Sequence, residues 1–157
     1  LWNAADAWTV LPAPQDDVVH WVRVKRAQVQ PALRSRVSDD QGRMRRDVIW
    51  VVETDNPHAM VDLRTTVLAL DELDCGAPVV LRRTWQGLDD ERLALQAATD
   101  LGGPMIDGLG DGLWVDAPET ALAKRNTMSF GILQAARTRI SAPSVPRKLT
   151  RGRRTRM

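Results

Sequence analysis

The chain has 157 residues, 22 Lys and Arg against 20 Asp and Glu for a formal charge of +2, 43% hydrophobic residues and a single cysteine. That length suffices for one domain with a sizeable core, the lone thiol excludes an internal disulfide and an all-cysteine metal cage, and no apolar run approaches the roughly 18 residues of a membrane helix. A soluble cytoplasmic protein with no membrane partner is the expectation, and Leu1 not being a Met reads as a chain that is a piece of something longer. The positive charge is local. Arg147, Lys148, Arg151, Arg153, Arg154 and Arg156 are six basic residues in the tail, and without them residues 1–146 carry −4. A tail with no aromatic residue between its charges argues against nucleic-acid binding and reads as solvated and disordered.

In chain order, residues 1–15, with Trp2, Trp8, Pro12 and Pro14, read as an incomplete element and a connector. An α/β domain is expected over 16–140. Asp16 and Asp17 resemble an N-cap, and Val18, Val19, Val22, Val29 and Leu33 give a helical spacing kinked at Pro31. Ser38 to Arg46 reads as a loop. Asp47 to Glu53 is a β-branched apolar block without polar alternation, the pattern of a parallel strand covered on both faces. Asn56-Pro57 then starts a helix with Ala59, Met60, Leu63, Val67, Leu68, Leu70 and Leu73 on its apolar side, ending at Gly76. Cys75, at that helix end, reads as a small buried hydrophobe, and His20 and His58, lacking partners at ligand spacing, as surface residues.

Pro78 to Arg83 is the next expected strand, with Arg82 and Arg83 at the end where α/β proteins bind ligands. Asp89-Asp90-Glu91 caps a helix that packs Leu93, Ala97 and Leu101 inward and stops at Gly102-Gly103-Pro104. Met105-Ile106 reads as a short strand running into a turn rich in glycine, Gly108, Gly110 and Gly112, then a second apolar run. Pro118-Glu119 opens a last helix with Leu122, Ile132, Leu133 and Ala136 as core candidates and a weak middle at Ser129 to Gly131. Strands recurring every 25 to 30 residues with helices between imply right-handed crossovers and a parallel sheet, as in part of a (β/α) barrel. The expected core is Val48, Ile49, Val51, Val52, Val79, Val80, Leu81, Met105 and Ile106 on adjacent strands, with Trp50 buried among them. Gly108, Gly110 and Gly112, helped by Arg82 or Arg83, are the candidates for an anion-binding turn. Asp107 and Asp111 bring negative charge to the same turn and favour a structural role for it.

Leu93 to Gly112, with Ile106-Asp107-Gly108-Leu109-Gly110-Asp111-Gly112 at its end, then Asp116-Ala117-Pro118, Arg125-Asn126-Thr127 and Ser129 to Arg137, resembles one family. It is the long form of 4-hydroxy-3-methylbut-2-enyl diphosphate synthase, the GcpE family of the non-mevalonate isoprenoid pathway, and the resemblance covers roughly residues 78–149. It implies an iron–sulfur oxidoreductase with a first barrel that binds the cyclic diphosphate, an inserted barrel-like domain and a domain holding a 4Fe-4S cluster. Its partners are then the remaining domains and an electron donor such as ferredoxin or flavodoxin. This chain would span the end of the insert and, over 141–157, a degenerate start of the cluster domain. The family places cluster cysteines where Ala142 and Val145 stand, and an alkyl group has no lone pair for iron. The resemblance therefore implies a fragment without catalytic residues of its own, either a truncated or frame-disrupted copy or a divergent paralogue. A non-catalytic α/β interaction or scaffold domain is the alternative.

Overall fold

The computed structural model describes residues 2–3 and 18–140, with side chains described from 18 to 137. The connector, the basic tail, and the two positions Ala142 and Val145 lie outside the described residues. Five strands form one sheet in the order β1 (Trp2–Asn3), β2 (His20–Val24), β3 (Val48–Glu53), β4 (Val79–Thr84) and β5 (Gly112–Asp116). Every neighbouring pair is parallel. The connections carry α1 (Pro31–Arg36), α2 (Ala59–Glu72), α3 (Asp90–Asp100) and α4 (Gly102–Ile106), and α5 (Leu122–Ile140) follows β5. Because each strand lies beside its predecessor, right-handed crossovers all step the same way and put the helices on one face. This is the arrangement of a partial (β/α) barrel, as the sequence implied.

The two faces differ in chemistry. Val22, Val24, Val48, Trp50, Val52, Val79, Leu81 and Val115 point to the helices and join Leu63, Leu70, Leu93, Ala97 and Leu101 in one core. Trp50 is fully buried as expected, and its indole N–H donates to the Cys75 carbonyl at 3.0 Å. Cys75 itself is buried, and that burial pushes its thiol pKa up. The opposite face carries Trp21, Arg23, Ile49, Val51, Glu53, Val80, Arg82, Trp114 and Asp116. Val51 is fully buried yet lies outside the helix-side core.

Several expectations fail locally. The helix expected from Asp16 does not form; His20 to Val24 is β2, with alternate residues His20, Val22 and Val24 buried. Pro31 does not kink a helix but opens α1, where its missing N–H is not needed. His20 is no surface residue: it is buried, with Nε2 3.6 Å from Asp47. The first helical residue after Asn56-Pro57 is Ala59, and His58 is its N-cap. That helix ends at Glu72, and Asp74 rather than Gly76 takes the left-handed conformation, with φ 54°. Its Leu68 faces solvent.

The largest correction concerns Gly102 to Ile106. Instead of a stop signal and a strand, these residues form α4, with Leu101 ending α3 and starting α4. Pro104 lies in the first turn of α4, where it displaces no hydrogen bond. Met105 joins the core as expected but from a helix rather than a strand, and Ile106 is half exposed and lies outside it. The strand follows the glycine turn. At the other end, α5 begins at Leu122 rather than Pro118 and runs unbroken through Ser129 to Gly131. Leu122 is exposed, whereas Ala136 is buried.

Candidate functional site

The sheet's other face, which α5 flanks along β5, gathers charge at the carboxyl ends of the strands, the end where parallel sheets place ligands. Arg23 from β2 holds the Glu53 carboxylate of β3 with both Nε and Nη2, at 3.0 and 2.7 Å. Arg82 from β4 donates to the same carboxylate through Nη1 and to Asp116 of β5 through Nη2, the latter at 2.5 Å. Thr84 Oγ1 donates to Asp116 Oδ2 at 3.0 Å, and Arg125 of α5 brings Nη1 to 4.0 Å from Asp116 Oδ1. The result is a staggered line of alternating sign, Arg23, Glu53, Arg82, Asp116, Arg125, crossing four strands and one helix.

Burial makes this line more than a surface decoration. The Glu53 side chain is 9% exposed and that of Arg82 15%. A forked contact from Arg23 and a single one from Arg82 compensate Glu53 for lost water, as a buried carboxylate requires. The hydrogen bond to Glu53 in turn raises the Arg23 pKa above its ordinary value. Arg82 also lies over the Trp114 ring, 5.0 Å from its centroid. Trp21 and Trp114 meet edge to face at 6.4 Å although β3 and β4 lie between their strands. Adjacent strands are about 4.8 Å apart, so a flat sheet would separate β2 and β5 by about 14 Å. The face is concave, and two indoles roof it.

The sequence candidates are not brought together. Gly108 and Gly110 end α4 and lead into β5, at the amino ends of the strands, while Arg82 and Arg83 sit at the carboxyl end of β4. Gly108 N–H is taken by the Met105 carbonyl and Leu109 N–H by that of Pro104, both at 3.0 Å, which is a helix C-cap rather than an anion cradle. The Asp111 carboxylate accepts from Val79 N–H at 2.8 Å, and Asp111 N–H donates back to the Val79 carbonyl at 2.7 Å. Gly112 is the first residue of β5. Arg82 and Arg83 also part company. Arg83 points to the helix side, 3.2 Å from Asp100 and 5.8 Å from the Trp85 ring centroid. Burial raises the Asp100 pKa, and the charge of Arg83 opposes that rise.

Arg23, Glu53, Trp114, Asp116 and Arg125 were not singled out from the sequence. A signal existed: each of β2 to β5 ends its apolar run with a charged side chain at or near the last position. Reading residues 16 to 33 as a helix concealed the first of them. A second cleft of about 590 Å³ opens beside the line, bounded by Lys25, Arg26, Gln30, Asp55 and Asn56. Its Lys25 pairs with Asp55, and Thr54 donates to Asp62 at 2.5 Å.

Among the described residues no group of three or more His, Cys, Asp or Glu is placed to hold a metal. The chain's one cysteine, Cys75, is buried just past the end of α2. A cluster that normally takes several thiolates does not fit that donor set. No helix among the described residues is long and apolar enough to cross a membrane.

Compared with known proteins, the chain is 34% identical over 109 residues to the 4-hydroxy-3-methylbut-2-en-1-yl diphosphate synthase (flavodoxin) of Porphyromonas gingivalis, which covers 66% of this chain and 19% of that protein. It is 42% identical over 78 residues to the enzyme of the same name from Protochlamydia amoebophila, covering 46% of this chain and 12% of that protein. The chloroplastic ferredoxin form of Arabidopsis thaliana is 36% identical over 69 residues, 40% of this chain and 9% of that protein. The chain thus spans about a fifth or less of the curated relatives it matches. No protein-family model and no solved structure matches it.

Proposed function

We propose, from the kinship of this chain with a segment of the 4-hydroxy-3-methylbut-2-en-1-yl diphosphate synthases, that it serves as a non-catalytic part of such an isoprenoid-pathway enzyme. The whole synthase would reductively convert 2-C-methyl-D-erythritol 2,4-cyclodiphosphate to 4-hydroxy-3-methylbut-2-enyl diphosphate, with a 4Fe-4S cluster held by another part of the enzyme and electrons from a flavodoxin or ferredoxin. This chain's share is the end of an inserted barrel-like domain, which spaces and docks the working domains, with residues 141–157 as a degenerate start of the cluster domain.

The observation that carries the reading is the match to several such synthases, in a chain whose sheet is parallel and sequentially wound. The geometry agrees with a supporting role. Glu53 and Asp116 are both held by arginines, so neither is poised as a general base or nucleophile. The sequence offers iron one thiol only. A non-catalytic interaction domain outside isoprenoid synthesis is the second reading, and the self-neutralised charged line favours it equally.

Two measurements test the non-catalytic role, and a chimera separates the two readings. Cells lacking the synthase should not grow when supplied with this chain alone, and anaerobic reconstitution should leave the purified chain without stoichiometric iron and sulfide. Growth rescue, or a cluster absorbance at about one per chain, would overturn the proposal. Inserting residues 78–140 in place of the matching stretch of the Porphyromonas gingivalis enzyme should preserve its activity; complete loss in a folded chimera would favour the unrelated interaction domain.

A further inference from the structure

A cavity of about 390 Å³ lies over the concave face beneath α5. Trp21, Val80 and Trp114 line it from the sheet, and Arg125, Phe130 and Leu133 from the helix. Its volume is at the small end of the range for sites that take one small molecule. Burial around it is uneven. Val51, on the same sheet face, is fully buried, whereas Trp21 is 38% exposed and Phe130 65% exposed. Aromatic surface is therefore left to water in this cleft, where a flat ring would cover it by offset stacking or edge contact.

The charged line adds a sign to this cleft. Glu53 is held by Arg23 and Asp116 by Arg82, so the two carboxylates are matched within the line and Arg125, which ends it, is the cation left over. Arg125 Nη1 stands 4.0 Å from Asp116 Oδ1, beyond hydrogen-bonding distance, and among the described residues its Nε is buried without a partner. The nearby charges are spent on each other: Lys124 pairs with Asp90, and Lys25 with Asp55. Asn126, next along α5, brings an exposed amide to the same wall. A largely buried guanidinium with unspent donors is matched by a planar carboxylate, which can take two of its N–H groups at once, and a single surplus charge calls for a single negative one. We propose that this cavity binds a small aromatic monocarboxylate, its ring against Trp21, Trp114 and Phe130 and its carboxylate on Arg125. Such binding needs no general base or nucleophile, so it goes beyond the supporting role proposed above and stands or falls separately from it.

The test uses the full 157-residue chain, with 2-naphthoate as the probe and naphthalene-2-carboxamide as its uncharged counterpart of the same shape. Isothermal titration should give one saturable site for the acid and about tenfold weaker binding of the amide, which lacks the charge-assisted contact. The indole N–H resonances of Trp21 and Trp114 should shift in step with saturation, while that of Trp50, on the helix side and bonded to the Cys75 carbonyl, stays in place. Arg125→Met should bring acid and amide to equal affinity. Phe130→Ala, at an exposed position, should weaken both about tenfold, and it decides the matter together with the native acid-to-amide ratio should Arg125→Met fail to fold. Absence of saturable binding, equal affinity of the native chain for acid and amide, an unchanged ratio in folded Arg125→Met, undiminished binding by Phe130→Ala, or indole shifts that extend equally to Trp50 would overturn the inference. So would Trp21 and Trp114 resonances that move with protein concentration alone, the sign that a second copy fills the cavity. None of these outcomes bears on the synthase reading, which the growth and reconstitution measurements address without any aromatic acid.

Discussion

A single hydrogen atom at Gly110 is all that its surroundings admit. Its φ is +126°, and a Cβ there would lie 3.1 Å from the Met105 sulfur and 3.2 Å from Leu81 Cγ. Gly108 has φ +77° with nothing within 4 Å of the same atom. Gly110→Ala should therefore lose about 1 to 3 kcal/mol, from backbone strain and displaced core atoms together, and Gly108→Ala about 1 kcal/mol from conformation alone. Urea unfolding of the two variants checks the order; equal losses would remove the packing part of the argument. Asp47 supplies a pH signature. The side-chain hydrogen bonds of Arg45 lower its pKa, against a desolvation that would raise it. A carboxyl depressed in the folded state stabilises fully above its unfolded pKa of about 3.9 and ceases to do so as pH falls through its folded value. Stability measured from pH 6 downward should decline below about pH 4 in the native protein, and Asp47→Asn, weaker at neutral pH, should lose less over that same window.

At the scale of elements, the sequence disclosed those with one strong pattern and concealed those with two. Asp47 to Glu53 and Pro78 to Arg83 are apolar blocks too short for helices and bounded by polar turns, and both are strands. β2 was hidden because Val18, Val22, Val29 and Leu33 happen to fall near helical spacing, while its true period of two is blurred by Trp21 on the outward side. The half-exposed indole is apolar because it meets Trp114 across the sheet, a contact invisible in local pattern. α4 was hidden by its glycines, which break an isolated helix but here let it lie close to its neighbours: a Cβ on Gly103 would come within 2.6 Å of the Met60 sulfur. Tertiary closeness overrode propensity. The N-cap was legible: the Asp89 side chain accepts from Arg92 N–H at 2.8 Å, as Asp89-Asp90-Glu91 implied. Asp89→Ala should lower stability by about 1 kcal/mol, read as a fall in melting temperature, and Asp89→Ser should restore most of it. The charged line was legible only as separate strand-end charges, since its meaning comes from which strands are neighbours.

For the molecule as a whole, the line across the concave face ties β2 to β5 without contributing to the helix-side core. Removing Glu53 leaves Arg23 and Arg82 half-buried without their common partner, so Glu53→Ala should lose about 3 kcal/mol, the lower end for a broken buried pair because Arg23 is one-third exposed. Glu53→Met combined with Arg23→Met, Arg82→Met and Asp116→Asn, the last because Arg82 also holds Asp116, should recover much of that loss, since matched apolar groups need no partner. If chemical denaturation finds the combined variant no better than Glu53→Ala, the carboxylate acts through something other than neutralisation. The strand order itself has a further consequence. In a sheet wound 1-2-3-4-5, every hydrogen-bonded neighbour is also a neighbour in the chain, so no pairing must be opened for another βα unit to be added before the first strand or after the last. A sheet that starts in the middle and grows both ways would bury its oldest strands and commit both flanks at once. This one is built like a row of bricks, extensible by accretion at either end, and a gene that gains or loses a unit there changes the length of the wall without disturbing the courses already laid.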